Sequence, residues 1–111
     1  MIHILLSLDL KNAEPQQRDA FYKKLVETEF IKLRGVDTVW AYPFPKAPVQ
    51  EVIDKAVPII RTMLKETVEE LEIQKISYIL QMGNTAPIGV VVEKVRGNYH
   101  VDEFDPTVAA D

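Results

Sequence analysis

Ile2-His3-Ile4-Leu5-Leu6-Ser7-Leu8-Asp9 opens the chain with an alternation whose two faces are both largely apolar. Successive side chains of a strand point to opposite sides, so Ile2, Ile4, Leu6 and Leu8 share one face and Leu5 lies on the other. A strand that is apolar on both sides belongs between two neighbours, at the centre of a sheet. Asp9 ends the run.

Working outward, Asn12 is expected to cap a first helix over residues 13–28, with Pro15 tolerated in its first turn. Phe21, Tyr22, Leu25 and Val26 recur at helical spacing along it. Phe30-Ile31-Lys32-Leu33 and Thr38-Val39-Trp40-Ala41-Tyr42 then flank a glycine-containing link, which reads as a hairpin. Pro43 and Pro45 are expected to end its pairing, because proline has no N–H to give to a ladder.

From Val49 the period becomes helical. Val52, Ile53, Ala56, Val57, Ile60, Met63, Leu64, Val68 and Leu71 form one stripe, interrupted by Pro58. Two readings of Pro58 stand: a kink that gives up the bond to the Asp54 carbonyl, or a short helix followed by a new one. The stripe keeps its phase across the proline, which favours the kink. Residues 76–82 alternate as a strand, residues 83–87 carry turn chemistry, and the valine-rich residues 88–95 form a further strand. Past Gly97 no periodicity survives, and Asp105-Pro106 begins what reads as a loose end.

The order is β-α-β-β-α-β with one strand appended. Two helices with single apolar stripes must cover one face of the sheet, which is the layout of a ferredoxin-like α+β sandwich with an additional C-terminal strand. The appended strand extends the sheet at home or crosses to a second subunit, and exposed sheet edges invite pairing. A homodimer is the expectation.

Composition fits one domain. The 111 residues are 47% hydrophobic and 27% charged, an ordinary globular balance. There is no cysteine, which excludes disulfides, iron–sulfur clusters and zinc–thiolate sites and fits a reducing compartment. The apolar N-terminal run lacks a basic flank and a cleavage site and is too short to cross a bilayer, so a cytoplasmic protein without membrane association is expected. The net charge of −4 has a local origin: residues 97–111 hold Asp102, Glu103, Asp105 and Asp111 and no Lys or Arg. Of 17 acidic residues that leaves 13 over residues 1–96, matching the 13 Lys and Arg. The expectation is a neutral folded body, residues 1–96, with an acidic tail, residues 97–111. Such a body argues against tight counterion-release binding to nucleic acid without forbidding a local basic patch.

Ile4-Leu5-Leu6-Ser7-Leu8-Asp9-Leu10 resembles the first strand of the small CRISPR-associated adaptation endoribonuclease family, in which an aliphatic strand ends in an aspartate before the first helix. The stretch from Phe30 through Asp37-Thr38-Val39-Trp40 is similar to the hairpin that follows in the same superfamily, whose relatives include SinR-like proteins, VapD-type toxins and the GhoS-type antitoxin. Residues 88–95 match in position the extra strand those dimers exchange. The resemblance implies a ferredoxin-like dimer. It also implies a role for Asp9 as the residue whose equivalent pairs across the dimer axis to hold a divalent cation, Mg²⁺ or Mn²⁺. The longer second helix, the neutral body and the acidic tail depart from the family's pattern.

Asp9 is thus the candidate catalytic and metal-binding residue; the competing role is to satisfy loop N–H groups at a strand-to-helix turn. Lys11, Lys32 and Arg34 are candidates for contact with nucleic-acid phosphates, against a plain role as solvated charge. Ser7 either orients a water or metal beside Asp9 or serves as a small residue under a helix. Asp37 and Thr38 either join the site or supply turn chemistry. Trp40 and Tyr42 share a strand face and either stack bases or fill core or dimer interface. His3 and His100 share no ligand spacing, and no phosphate-loop, dinucleotide, nucleophile-elbow or zincin motif is present. The expected function is a non-catalytic dimeric module that binds a protein or nucleic-acid partner, in an antitoxin- or defence-related role. The alternative is a metal-dependent endonuclease acting on RNA or DNA.

Overall fold

Ile2, Ile4, Leu6, Leu8 and Leu10 are all buried, while His3, Leu5, Asp9 and Lys11 between them are exposed. The opening strand is therefore central in the sheet but covered on one face only. The computed structural model describes residues 2–33, 38–45, 50–83 and 88–104. Among these, the elements in chain order are β1 (Ile2–Lys11), α1 (Pro15–Glu27), β2 (Ile31–Lys32), β3 (Val39–Phe44), α2 (Gln50–Glu70), β4 (Lys75–Met82), β5 (Ile88–Val95) and β6 (Asn98–Phe104). The protein is an α+β sandwich. Its strands form one antiparallel sheet in the order β2-β3-β1-β4-β5-β6.

Both helices lie on the face that carries the even-numbered side chains of β1. Phe21 and Leu25 of α1, and Ile53, Ala56, Ile60, Leu64 and Val68 of α2, are buried with Trp40, Ile76, Tyr78, Leu80, Met82, Val90 and Val92 of the strands. Fully burying one such aliphatic side chain is worth about 1.5–3 kcal/mol. Gln17 ties the helices together, its amide donating to the Leu71 and Glu72 carbonyls at 3.0 and 3.1 Å. α2 runs unbroken through Pro58, as the continuous stripe predicted. No described helix is long and apolar enough to cross a membrane.

Several expectations are corrected. Asn12 does not cap α1; it turns the chain with φ +59°, and the cap residue is Glu14, whose N–H is accepted by Gln17 Oε1 at 2.7 Å, with Pro15 opening the helix. The hairpin pairing of β2 with β3 ends before Pro43 as expected, but β3 runs on to Phe44 against β1, with Pro43 opposite His3. β2 reaches only Ala41 and Trp40, so the proline faces no strand on its other side and no ladder bond is lost. Ser7 lies on the face away from the helices, not beneath one.

The largest correction concerns residues 98–104, expected as an acidic tail. They form β6, paired with β5 from Val95↔Asn98 to Gly89↔Phe104. The sheet thus carries two strands beyond β4 rather than one. β5 pairs with β4 in its own chain. The expected hairpin link at residues 34–37, most of the turn at 84–87 and the loose end at 105–111 lie outside the described residues.

Candidate functional site: the open face of the sheet

No described element covers the second face of the sheet, and the register lays out its side chains in rows. Ile31 of β2, Ala41 of β3, Leu5 of β1 and Gln81 of β4 form one row. Val39, Ser7, Ile79, Gly89 and Phe104 form the next. Asp9, Ser77, Val91 and Asp102 follow, and Lys11, Lys75, Glu93 and His100 close the face. The first two rows are largely apolar, and the last is charged. Leu5, Ile31 and Phe104 are 43%, 55% and 42% exposed, high values for large apolar side chains that cluster on one surface.

Asp9 stands where the apolar rows give way to polar ones. Its side chain is exposed and makes no hydrogen bond or ion pair with another described residue. It lines a shallow cleft of about 230 Å³ with Ser7, Thr38, Ser77, Ile79 and Phe104. Two serines share its face: Ser77 lies opposite Asp9 in the β1–β4 register, and Ser7 is the preceding residue on the same face of β1. Asp37, which the sequence pairs with Thr38, lies outside the described residues.

Hydroxyls and one carboxylate do not make a Mg²⁺ or Mn²⁺ site by themselves, since those ions take near-octahedral oxygen coordination with one or two carboxylates plus phosphate and water. No group of three or more His, Asp or Glu side chains able to hold a metal occurs among the described residues. Within one subunit, the described residues around Asp9 do not fit the metal that the family resemblance implies.

The two described basic candidates do not converge. Lys11 lies on the open face beside Lys75, whose Nζ is 3.8 Å from Glu93 Oε2. Lys32 is in register with buried Trp40 and so projects to the helix side, its Nζ 5.7 Å from the centre of the Tyr22 ring. Arg34 lies outside the described residues. His3 and His100 are exposed at separate corners of the open face.

Trp40 is core: it is 2% exposed, with its ring centre 5.5 Å from that of Tyr22. Tyr78 is buried on the helix side, and burial pushes its phenol up to about 12; Arg61 opposes that shift and Glu103 adds to it. Sequence reasoning missed Ile79, Val91 and Phe104 as surface residues. The alternation in β4 and β5 could have placed the first two; Phe104 needed β6 to be recognised. It also missed a cavity on the helix-covered side, which depends on how distant segments meet. No protein-family model matches the chain, and no curated protein matches it.

Proposed function

We propose that the chain is a ferredoxin-like, non-catalytic dimeric module that associates through the open face of its sheet and binds a protein or nucleic-acid partner as a dimer. The observation that carries this reading is the face itself: a centre of Leu5, Ile31, Val39, Ala41, Ile79 and Phe104, with charges gathered along one margin. An apolar centre with a polar rim is the anatomy of a stable interface. Six strands about 4.8 Å apart and about seven residues long give a face of about 600 Å², so two copies bury about 1,200 Å², the lower bound of a stable interface. A second copy suits the shape, because two sheets of the same twist stack with their strands aligned. The β-α-β-β-α-β element order and the β2-β3-β1-β4 run within the sheet support the ferredoxin-like reading. The antitoxin- or defence-related role follows from the resemblance of β1 and the hairpin to that superfamily.

Light scattering across a concentration series tests the dimer. The wild type is expected at twice the chain mass and Leu5→Lys at the mass of one chain, melting where the wild type melts once it is diluted to monomer. A monomeric wild type at high micromolar concentration would falsify the reading.

One observation favours a second reading, a metal-dependent endonuclease: the Asp9 carboxylate is exposed on that same face and accepts no bond from a described loop amide. A dimer axis beside β1 would bring in the partner's Asp9, and the two carboxylates would have to stand about 4 to 8 Å apart to share a cation. RNA or DNA cleavage that requires Mg²⁺ or Mn²⁺ and is lost in Asp9→Ala decides for this reading; equal residual activity in the variant decides against it.

A further inference from the structure

On the side of the sheet opposite the open face, a cavity of about 530 Å³ runs between the sheet, the end of α1 and α2. Its floor belongs to the core: Ile4, Phe30 and Ala56 line it and are 1%, 4% and 5% exposed. Phe30, Tyr42 and Phe44 form a continuous aromatic wall, with successive ring centres 5.3 and 6.0 Å apart. Protein interiors are close-packed, with few voids larger than a water molecule. A recess of this size reaching the core falls within the about 300–1,000 Å³ typical of small-molecule sites.

The polar groups on the lining are few, and they differ in availability. The Thr28 hydroxyl is committed, within 3.0 Å of both the Lys24 and Leu25 carbonyls. Lys55 is the only charged side chain among the described lining residues. Its Nζ is 3.3 Å from Glu51 Oε1 in a solvent-exposed pair on the same helix. Such a pair is worth only about 0.3–0.5 kcal/mol, so the ammonium is free to exchange partners. At the other end, across Thr28, Ile59 and Met63, the cavity adjoins a groove that carries Glu66 and Glu70 beside Lys24. An anionic group is favoured at the Lys55 end and disfavoured at the other.

We propose that this cavity is a binding site for an apolar small molecule ending in a carboxylate, the hydrocarbon or aromatic body lying against the Phe30–Tyr42–Phe44 wall and the carboxylate meeting Lys55 at the rim. Charge complementarity selects the acid, and the lining selects the body. The site shares no residue with the open face, so its failure and the failure of the dimer reading are separate results.

Dodecanoate, kept below its micelle concentration, is the probe, with dodecanol as its uncharged match. Binding is followed by calorimetry and by the methyl resonance of Met63, which lines the cavity. The expected result is saturable one-to-one binding of dodecanoate with a shift at Met63. Lys55→Gln is expected to weaken dodecanoate about fivefold, equivalent to about 1 kcal/mol, and to leave dodecanol unchanged. Ala56→Phe, which fills the cavity, should abolish both. If that variant does not fold, Ile59→Glu replaces it: Ile59 is 68% exposed on the lining, so the new carboxylate is tolerated by the fold and repels only the acid. The proposal is overturned by a Met63 resonance that dodecanoate leaves unmoved, by equal affinity for the acid and the alcohol, or by dodecanoate affinity indifferent to Lys55→Gln and Ile59→Glu.

Discussion

Arg61 of α2 and Glu103 of β6 meet with Nη1 2.8 Å from Oε1, joining the second helix to the last strand across the edge of the sheet. Both side chains are partly exposed, so the pair by itself contributes little, and Glu103→Gln is expected to cost less than about 1 kcal/mol. The strand it touches matters far more. Tyr99 Oη donates to the Ile73 carbonyl at 3.0 Å, and Val101 packs against the core cluster that includes Val90 and Val92. Deleting residues 98–111 would uncover those valines and leave β5 as a bare edge. Urea unfolding of the deletion variant should show a loss of about 2–4 kcal/mol, with aggregation at high concentration. A loss no larger than that of Glu103→Gln would mean that β6 is only loosely attached.

The sequence concealed this strand for a physical reason. Along β6 only Tyr99 and Val101 turn apolar surface inward, and both stay half-exposed at the sheet's edge, while His100 and Asp102 face outward. The alternation is therefore weak, and the acidic residues read as a solvated tail. The turn before it carried the better signal. Arg96 and Gly97 have φ +53° and +84°, the two left-handed residues of a tight hairpin joining Val95 to Asn98. By contrast, β1 and α2 were legible because their inward residues are fully buried and repeat without interruption. Of the site, the alternation in β1 sufficed to place Asp9 on a face with Ser7; that this face is left bare depends on both helices choosing the other side.

Tyr78 presents a buried hydroxyl with no hydrogen-bond partner among the described residues. Phenylalanine fills the same space without that unsatisfied group, so Tyr78→Phe should keep or raise stability at neutral pH, by up to about 1 kcal/mol. The phenol's pKa lies above its ordinary 10.0, at about 12, chiefly through burial. The folded chain thus holds this proton more tightly than the unfolded one. Its contribution is complete below pH 10 and is lost as pH rises through 12, a change of about 3 kcal/mol. Chemical denaturation between pH 8 and 12 should show a steeper alkaline fall for the wild type than for Tyr78→Phe. Parallel curves would show that the hydroxyl is not buried in solution.

Pro58 sits inside α2 on its exposed side and cannot donate to the Asp54 carbonyl. The apolar stripe runs through it in phase, from Ile53 and Ala56 to Ile60 and Leu64, so the helix does not depend on a break there. Pro58→Ala restores the missing donor at an exposed position of the helix. It is expected to add about 1 kcal/mol, part of the roughly 3 kcal/mol by which alanine exceeds proline in a helix interior, because the native helix has already adapted. A lower melting temperature would show that the packing of α2 requires the distortion proline imposes.

Gly89 and Phe104 connect the fold to the proposed interface. The Phe104 ring lies flat against Gly89 across the β5–β6 pair, so close that a Cβ at position 89 would fall 2.5 Å from Cζ. Alanine there forces the ring to leave. The ring is 42% exposed and free to swing outward, so Gly89→Ala should cost the monomer less than about 1 kcal/mol. A displaced ring would, however, stand proud of the flat face on which two sheets must stack. Phe104→Ala removes the same surface without raising an obstacle. If the open face is the dimer interface, Gly89→Ala should weaken self-association more than Phe104→Ala does, while both variants melt close to the wild type at dilutions where all three are monomeric. Sedimentation over a concentration series separates the cases: an equal effect assigns the loss to missing apolar area, and no effect in either variant removes this end of the sheet from the interface.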